Sequence, residues 1–192
     1  MDNNFDNIKK QPETDRKKYL FYRILGGINN FVAIFFLFLT LMSFATIGLQ
    51  SSLLLYFFVF IAILIYTNLT TVFARHVLVR GNYIRRRIKD WIRVNAIVAL
   101  LFSGFMIVSI LYVLNNHIFI EKMTELYSGM EGVTDEMIQQ AIPVARGILI
   151  FFLLCMVVLI IHVILSFRYI KRFADKFKDQ DERPSQNEGF QA

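Results

Sequence analysis

The chain has 192 residues, of which 56% are hydrophobic and 20 are phenylalanine, and its mean hydropathy is +0.49. Water-soluble domains contain about 45–50% apolar residues, so this excess indicates a protein that lies partly in lipid. The formal charge of +6 is also unevenly distributed, because three long segments contain no Asp, Glu, Lys or Arg. This pattern excludes a soluble helical bundle, whose helices would each need a polar face.

The charge-free segments predict the transmembrane helices in chain order. They extend from Ile24 to Ala74, from Val94 to Ile120 and from Gly147 to Phe167. About 20 residues of α-helix cross the hydrocarbon core, so the first segment can hold two spans, separated by the polar turn "GLQSS". The predicted spans cover about residues 28–48, 53–74, 94–114 and 146–167. We therefore expect an all-α integral membrane protein whose four helices form two hairpins, with a transmembrane domain at about residues 23–175.

The charges outside the spans predict the orientation of the chain. All but two of the 21 Lys and Arg residues lie before the first span, between the second and third, or after the fourth. The exceptions, Lys122 and Arg146, lie in or beside the loop between the third and fourth spans, where acidic residues are frequent. Under the positive-inside rule both termini are expected in the cytoplasm. No cleavable signal peptide is recognised, so the first span is expected to act as its own insertion signal.

Both ends of the chain are expected to lie outside the bilayer. Residues 1–22 are predicted as a cytoplasmic N-terminal segment, and residues 176–192 as a disordered cytoplasmic tail that has almost nothing to bury. Before this tail, apolar residues from Phe167 to Phe177 recur at helical spacing among Lys and Arg. This spacing predicts that the fourth helix continues as a basic amphipathic helix, either as a snorkelling helix end or as a docking site.

The segment "HVLVRGNYIRRRIKDWIRVN", residues 76–95, combines many basic side chains with a helix-like apolar stripe. Because "GN" (Gly81, Asn82) interrupts helical structure, a helix is expected to begin at Tyr83 and to run into the third span. Its basic residues and its tryptophan are expected to anchor the protein to anionic lipid headgroups. These anchors are Arg85, Arg86, Arg87, Lys89, Trp91 and Arg93. Nucleic acid is not an expected partner, because both ends of the segment are tied to the membrane.

The loop between the third and fourth spans, residues 115–142, is predicted to form a small helical hairpin outside the cytoplasm. Its apolar residues between 118 and 130 recur at helical spacing. Thr134, followed by two acidic residues, is a suitable N-cap for a second helix that leads into the fourth span through Pro143. The hairpin is interpreted either as a simple cap or as a lid or partner-docking element.

Uncharged polar side chains are expected inside the membrane, on the cytoplasmic side. Three of the four helices place an Asn or His about 10 Å inside the nearest arginine, at 1.5 Å per residue. The predicted cluster consists of Asn30, Asn68, Thr71, Asn95 and His162. It is interpreted either as a set of interhelical hydrogen bonds or as a polar cavity that faces the cytoplasm. Apart from Arg146 at the edge of the fourth, no charged residue lies within a predicted span, which argues against ion-coupled transport.

The sequence offers no recognisable catalytic or metal-binding motif. It contains three His and one Cys, without a P-loop, a G-x-S-x-G turn or a ligand pair at metal-binding spacing. Haem ligation by His76 and His162 is disfavoured, because His76 is flanked by arginine and is typical of a membrane boundary. We therefore expect no enzyme activity, no metal and no cofactor.

These observations predict a small multipass protein of the cytoplasmic (inner) membrane that acts as a structural, regulatory or partner-binding component. The expected partners are anionic lipids, and either a second copy of the chain or another membrane protein. The alternative is a channel or transporter subunit for a small solute that acts as an oligomer. That alternative requires a polar path, of which only the cytoplasmic half is visible in the sequence.

Overall fold

The computed structural model describes residues 13–48, 50–115, 119–121, 125 and 134–178 of the chain. Most of these residues belong to four long helices. They are α1 (Glu13–Ile47), α2 (Ser51–Phe73), α3 (Arg86–Val113) and α4 (Asp135–Arg172). The short elements are a π-helical turn (Ala74–Val79), strand β1 (Ile84–Arg85), a 3₁₀ turn (Ala174–Lys176) and strand β2 (Phe177–Lys178).

Each of the long helices is long and apolar enough to cross a membrane. The candidate spans are Tyr19–Thr46, Ser51–Val79, Arg86–Val113 and Glu136–Arg172. Only between 22% and 33% of the most apolar part of each span is buried inside the protein, so large side chains such as Phe31 remain exposed. An apolar surface of this extent requires lipid or protein partners rather than water. The prediction of four helices that can span a membrane is confirmed.

An aromatic layer joins the four helices in the middle of the bundle. The ring of Phe36 in α1 stacks on Phe60 in α2, with their centroids 5.4 Å apart, and lies 4.9 Å from Phe152 in α4. Phe60 also makes an edge contact with Phe102 in α3 at 5.7 Å. Since aromatic pairs of this geometry contribute about 0.5–1.5 kcal/mol beyond area burial, the layer stabilises the packing of all four helices.

The connection from α2 to α3 differs from the predicted helix at Tyr83. Gly81 has a φ of +70°, a conformation that favours glycine, and the chain then becomes extended. Ile84–Arg85 pairs in parallel with Phe177–Lys178, and α3 begins only at Arg86. The extended conformation buries the side chain of Ile84, which is 6% exposed, against the protein. The prediction of a helix beginning at Tyr83 is therefore wrong by three residues.

The end of the fourth helix also differs from the prediction of a continuous amphipathic helix. α4 ends at Arg172, and the 3₁₀ turn brings Phe177 back to α2, where its ring stacks on Phe73 at 5.5 Å. Burial of this large ring outweighs the helical spacing of the local sequence. Residues 176–178, the first of the predicted tail, thus belong to the folded structure. The remainder of the tail, 179–192, and the first 12 residues lie outside the described residues.

The loop between α3 and α4 packs onto the start of α4 in its described part. Thr134 is the N-cap of α4, as predicted, and its hydroxyl accepts a hydrogen bond from the Met137 amide at 3.4 Å. The side chains of Phe119 and Ile138 are buried, and the guanidinium of Arg146 lies 5.5 Å from the Phe119 ring centroid. Residues 119–121 and 125 are helical. Residues 116–118, 122–124 and 126–133 of the predicted hairpin lie outside the described residues.

Candidate functional site

A cluster of four buried polar side chains joins three helices. α1 contributes Tyr22, α2 contributes Tyr66, and α4 contributes His162 and Ser166; all four are at most 1% exposed. The Ser166 hydroxyl lies 2.8 Å from the Tyr22 hydroxyl and 2.7 Å from the Tyr66 hydroxyl. Ser166 also donates a hydrogen bond to the backbone carbonyl of His162 at 2.8 Å. We call these four residues the tyrosine–serine–histidine cluster.

The His162 ring is held on two sides within this cluster. Its Nδ1 lies 3.1 Å from the Tyr66 hydroxyl, and its plane stacks on the Tyr22 ring at 4.7 Å between centroids. Tyr169, one turn after Ser166, makes edge contacts with Tyr22 at 5.1 Å and with Tyr19 at 5.7 Å. The start of α1 and the end of α4 are therefore clamped together by both aromatic and polar contacts.

The predicted polar residues are distributed over several separate positions. Asn30 accepts a hydrogen bond from the Thr67 hydroxyl at 2.9 Å, which links α1 to α2. Asn68 and Thr71 are exposed and donate hydrogen bonds to backbone carbonyls of their own helix. Asn95 is buried in α3, but its amide donates to the Trp91 carbonyl of the same helix. Of the predicted set, the structure thus places His162 and Asn30 in cross-helix hydrogen bonds.

Three members of the tyrosine–serine–histidine cluster are missed by sequence reasoning. Tyr22, Tyr66 and Ser166 are residue types that are common at membrane boundaries, so composition alone does not mark them. One signal was available, because Ser166 follows His162 by four residues and thus shares its helix face. Their mutual contact depends on the way in which α1, α2 and α4 pack.

The predicted lipid anchors lie at the end of the bundle that carries the β1–β2 pair, which we call the basic end. Five of the six anchors are exposed; Trp91, for example, is 58% exposed. Lys89 is half-buried, and its ammonium lies 5.7 Å from the Phe177 ring centroid. The ammonium groups of Lys176 and Lys178 lie 4.8 and 4.7 Å from the Tyr83 ring. Cation–π contacts therefore hold several basic side chains close together at this end.

A cavity lies among the four helices, next to the aromatic layer and on the side away from the basic end. Its volume is about 210 Å³, and all four helices contribute to its lining. The lining is mostly aromatic and aliphatic, and its polar members Thr40 and Ser43 donate hydrogen bonds to carbonyls of their own helix. Ligand pockets in proteins are commonly about 300–1,000 Å³, so this cavity suits a small apolar molecule.

Comparison with protein-family models, curated proteins and solved structures found no match to this chain. Within the described residues, no group of three or more His, Cys, Asp or Glu side chains is arranged to hold a metal ion.

Proposed function

We propose that the chain is a multipass protein of a cytoplasmic membrane, with both termini in the cytoplasm, that acts as a structural or regulatory component through its partners. One observation carries this proposal: polar side chains between the helices hydrogen-bond to one another across helices. Tyr22 and Tyr66 both reach Ser166, and Thr67 reaches Asn30. Side chains used in this way hold helices together.

Anionic phospholipids are the partners that the basic end favours. Arg85, Arg86 and Arg87 are exposed next to the β1–β2 pair, and Trp91 is exposed one turn further along α3. A basic residue near an anionic membrane surface contributes about 1 kcal/mol of attraction, and tryptophan prefers the level of the headgroups. This combination supports a basic end that faces the cytoplasmic leaflet.

The orientation is tested by charge reversal at this end. A variant with Arg85, Arg86, Arg87 and Lys89 changed to Glu should lose its orientation or fail to insert, as measured with a C-terminal topology reporter. The matched control changes the three arginines to Lys, which alters the side chains and keeps the charge, so its topology should be that of the parent protein. An unchanged orientation in the Glu variant would contradict the proposal.

Lipid binding is tested through the single tryptophan of the chain, Trp91. Two vesicle preparations contain equal fractions of anionic and zwitterionic lipid. The anionic lipid is brominated in one and the zwitterionic lipid in the other, and the quenching of tryptophan fluorescence is measured in both. Brominated phosphatidylglycerol should quench more strongly than brominated phosphatidylcholine, because the arginines enrich anionic lipid around Trp91. Changing Arg85, Arg86 and Arg87 to Gln should remove the difference. Equal quenching in the parent protein would exclude preferential binding of anionic lipid.

A second candidate function, a small-solute channel or transporter subunit that acts as an oligomer, is favoured by the cavity among the four helices. The aromatic layer forms part of the wall of this cavity, since Phe36 and Phe60 line the cavity and stack on each other. If solute passes along the axis, replacing Phe60 by Ala should increase the uptake of small neutral solutes into proteoliposomes severalfold. A matched variant at the exposed Phe58 should leave the uptake unchanged. Equal uptake in both variants and the parent protein would favour the structural role.

A further inference from the structure

The cavity beside the aromatic layer offers a ligand mainly apolar contacts. Three residues of its lining carry a hydroxyl group, namely Thr40, Ser43 and Tyr56, and the others are Phe, Leu and Met. Thr40 and Ser43 donate hydrogen bonds to carbonyls of their own helix at 2.8 and 2.9 Å. Their hydroxyls are therefore already used within α1. An enclosed space with such a lining stays free of water and binds apolar molecules.

The volume of the cavity suits a short length of hydrocarbon chain. A cavity of about 150 Å³ with a similar apolar lining binds benzene. The larger volume here, about 210 Å³, therefore accommodates an apolar group somewhat larger than benzene, such as the last several carbon atoms of a lipid acyl chain. An empty cavity costs free energy in proportion to its volume, because the atoms that line it lose contacts. An apolar occupant restores those contacts.

The cavity is not sealed from the surface of the bundle. It is partly open, and Leu39, which belongs to its lining, is 42% exposed. Leu39 lies within the candidate span Tyr19–Thr46, and Met42, three residues further along the same helix face, is 50% exposed. These two side chains therefore belong to the apolar surface that a bilayer would cover. Acyl chains of the bilayer would touch this surface directly, which makes them the apolar molecules nearest to the cavity.

We propose that the methyl end of a phospholipid acyl chain occupies this cavity. The chain enters beside Leu39 and packs against the buried side chains of Phe60 and Met156, which are 9% and 4% exposed. This binding site goes beyond the proposed function, because a structural role requires no occupant. It also differs from the channel alternative, since a hydrocarbon chain in the cavity leaves no space there for a polar solute. It rests only on the insertion of the helices into a bilayer.

Three methionines can report on the occupant and on membrane insertion separately. Met106 and Met156 line the cavity, and Met156 is almost fully buried, so a lipid chain that touches it has to enter the bundle. Met42 is exposed on α1 and should contact lipid whether or not the cavity is occupied. Contact of Met156 with lipid thus identifies an occupied cavity, whereas contact of Met42 with lipid shows only that the helices lie in the bilayer.

The first experiment is NMR of the full chain in phospholipid nanodiscs, with ¹³C-labelled methionine methyl groups in an otherwise deuterated protein. We expect nuclear Overhauser contacts between the Met156 methyl group and acyl-chain protons, as for Met42, and none between Met156 and water. Each signal is assigned by its loss in a Met→Leu variant. Acyl-chain contacts at Met42 alone would show inserted helices without an occupant and would overturn the proposal. Contact of Met156 with water but not with lipid would also overturn it and would favour an aqueous path.

The second experiment fills the cavity and repeats this measurement. Ser43→Phe places a ring in the lining and should weaken the contact between Met156 and the acyl chain severalfold. Thr71→Phe is the matched control, because Thr71 is exposed, lies outside the lining and bonds back to its own helix as Ser43 does. This control should leave the Met156 contact unchanged. The Met42 contact should persist in both variants, which verifies that they remain inserted. An equal Met156 contact in Ser43→Phe and in the parent protein would refute occupancy of the cavity.

Discussion

Replacing Ser166 by Ala tests whether the tyrosine–serine–histidine cluster holds the helices together. The Ser166 hydroxyl makes hydrogen bonds with the Tyr22 hydroxyl in α1 and the Tyr66 hydroxyl in α2, at 2.8 and 2.7 Å. Hydrogen bonds between membrane helices contribute about 0.6–1.7 kcal/mol each. The loss of both bonds should therefore lower the free energy of unfolding by about 1–3 kcal/mol.

Ser103 offers a matched control for this substitution. It is fully buried, and its hydroxyl donates to the backbone carbonyl of Ala99 at 2.7 Å, as Ser166 does to that of His162. The described structure shows no cross-helix hydrogen bond for Ser103. Ser103→Ala should therefore change the free energy of unfolding by about 0.5 kcal/mol or less, because a serine bonded back to its own helix contributes little.

The measurement is the equilibrium unfolding of each variant in micelles with increasing fractions of denaturing detergent. A double-mutant cycle with Tyr22→Phe and Ser166→Ala isolates the bond between the two side chains, and its interaction energy should be about 0.5 kcal/mol or more. Equal losses for Ser166→Ala and Ser103→Ala, together with an interaction energy near zero, would show that the cluster does not stabilise the bundle.

Two further predictions concern Asn30 and Phe177. Asn30→Leu should lower the free energy of unfolding by about 1 kcal/mol more than Asn68→Leu, because of the two only Asn30 accepts a cross-helix hydrogen bond. The same detergent titration measures this difference, and a larger effect at Asn68 would contradict the prediction. Phe177→Ala should release the C-terminal segment from Phe73, because loss of a buried ring costs about 3–5 kcal/mol. The rate of trypsin cleavage after Arg172 should then increase severalfold. Phe151→Ala, at an exposed position, is the control and should leave the cleavage rate unchanged.

The fold follows from the sequence where the signal is local. The four spans were predictable because the absence of charge over about 20 residues is itself the requirement for crossing lipid. The N-cap at Thr134 was predictable because its signal is also local: the side chain bonds to an amide three residues away. The start of α3 and the end of α4 were not predictable, because they depend on the pairing of Ile84 with Phe177, which lie far apart in the chain.

The candidate site was predictable only in part. Amides and imidazoles stand out in an apolar helix, which is why Asn30 and His162 were identified. Tyr66 and Ser166 resemble ordinary boundary residues until α2 and α4 pack and bring their hydroxyls within 2.7 Å. The sequence contains no information on the direction in which Asn68 bonds, and the structure shows its amide donating to its own helix.

The sequence by itself determined that four helices are long and apolar enough to cross a membrane, because hydrophobicity and charge are properties of consecutive residues. The orientation of the chain rests on the same local property and stays a prediction. The tertiary structure decided which polar side chains meet, where the helices end and how closely His162 packs against Gly26. Those outcomes depend on the relative rotation and depth of four helices, which are fixed by packing between residues far apart in the chain.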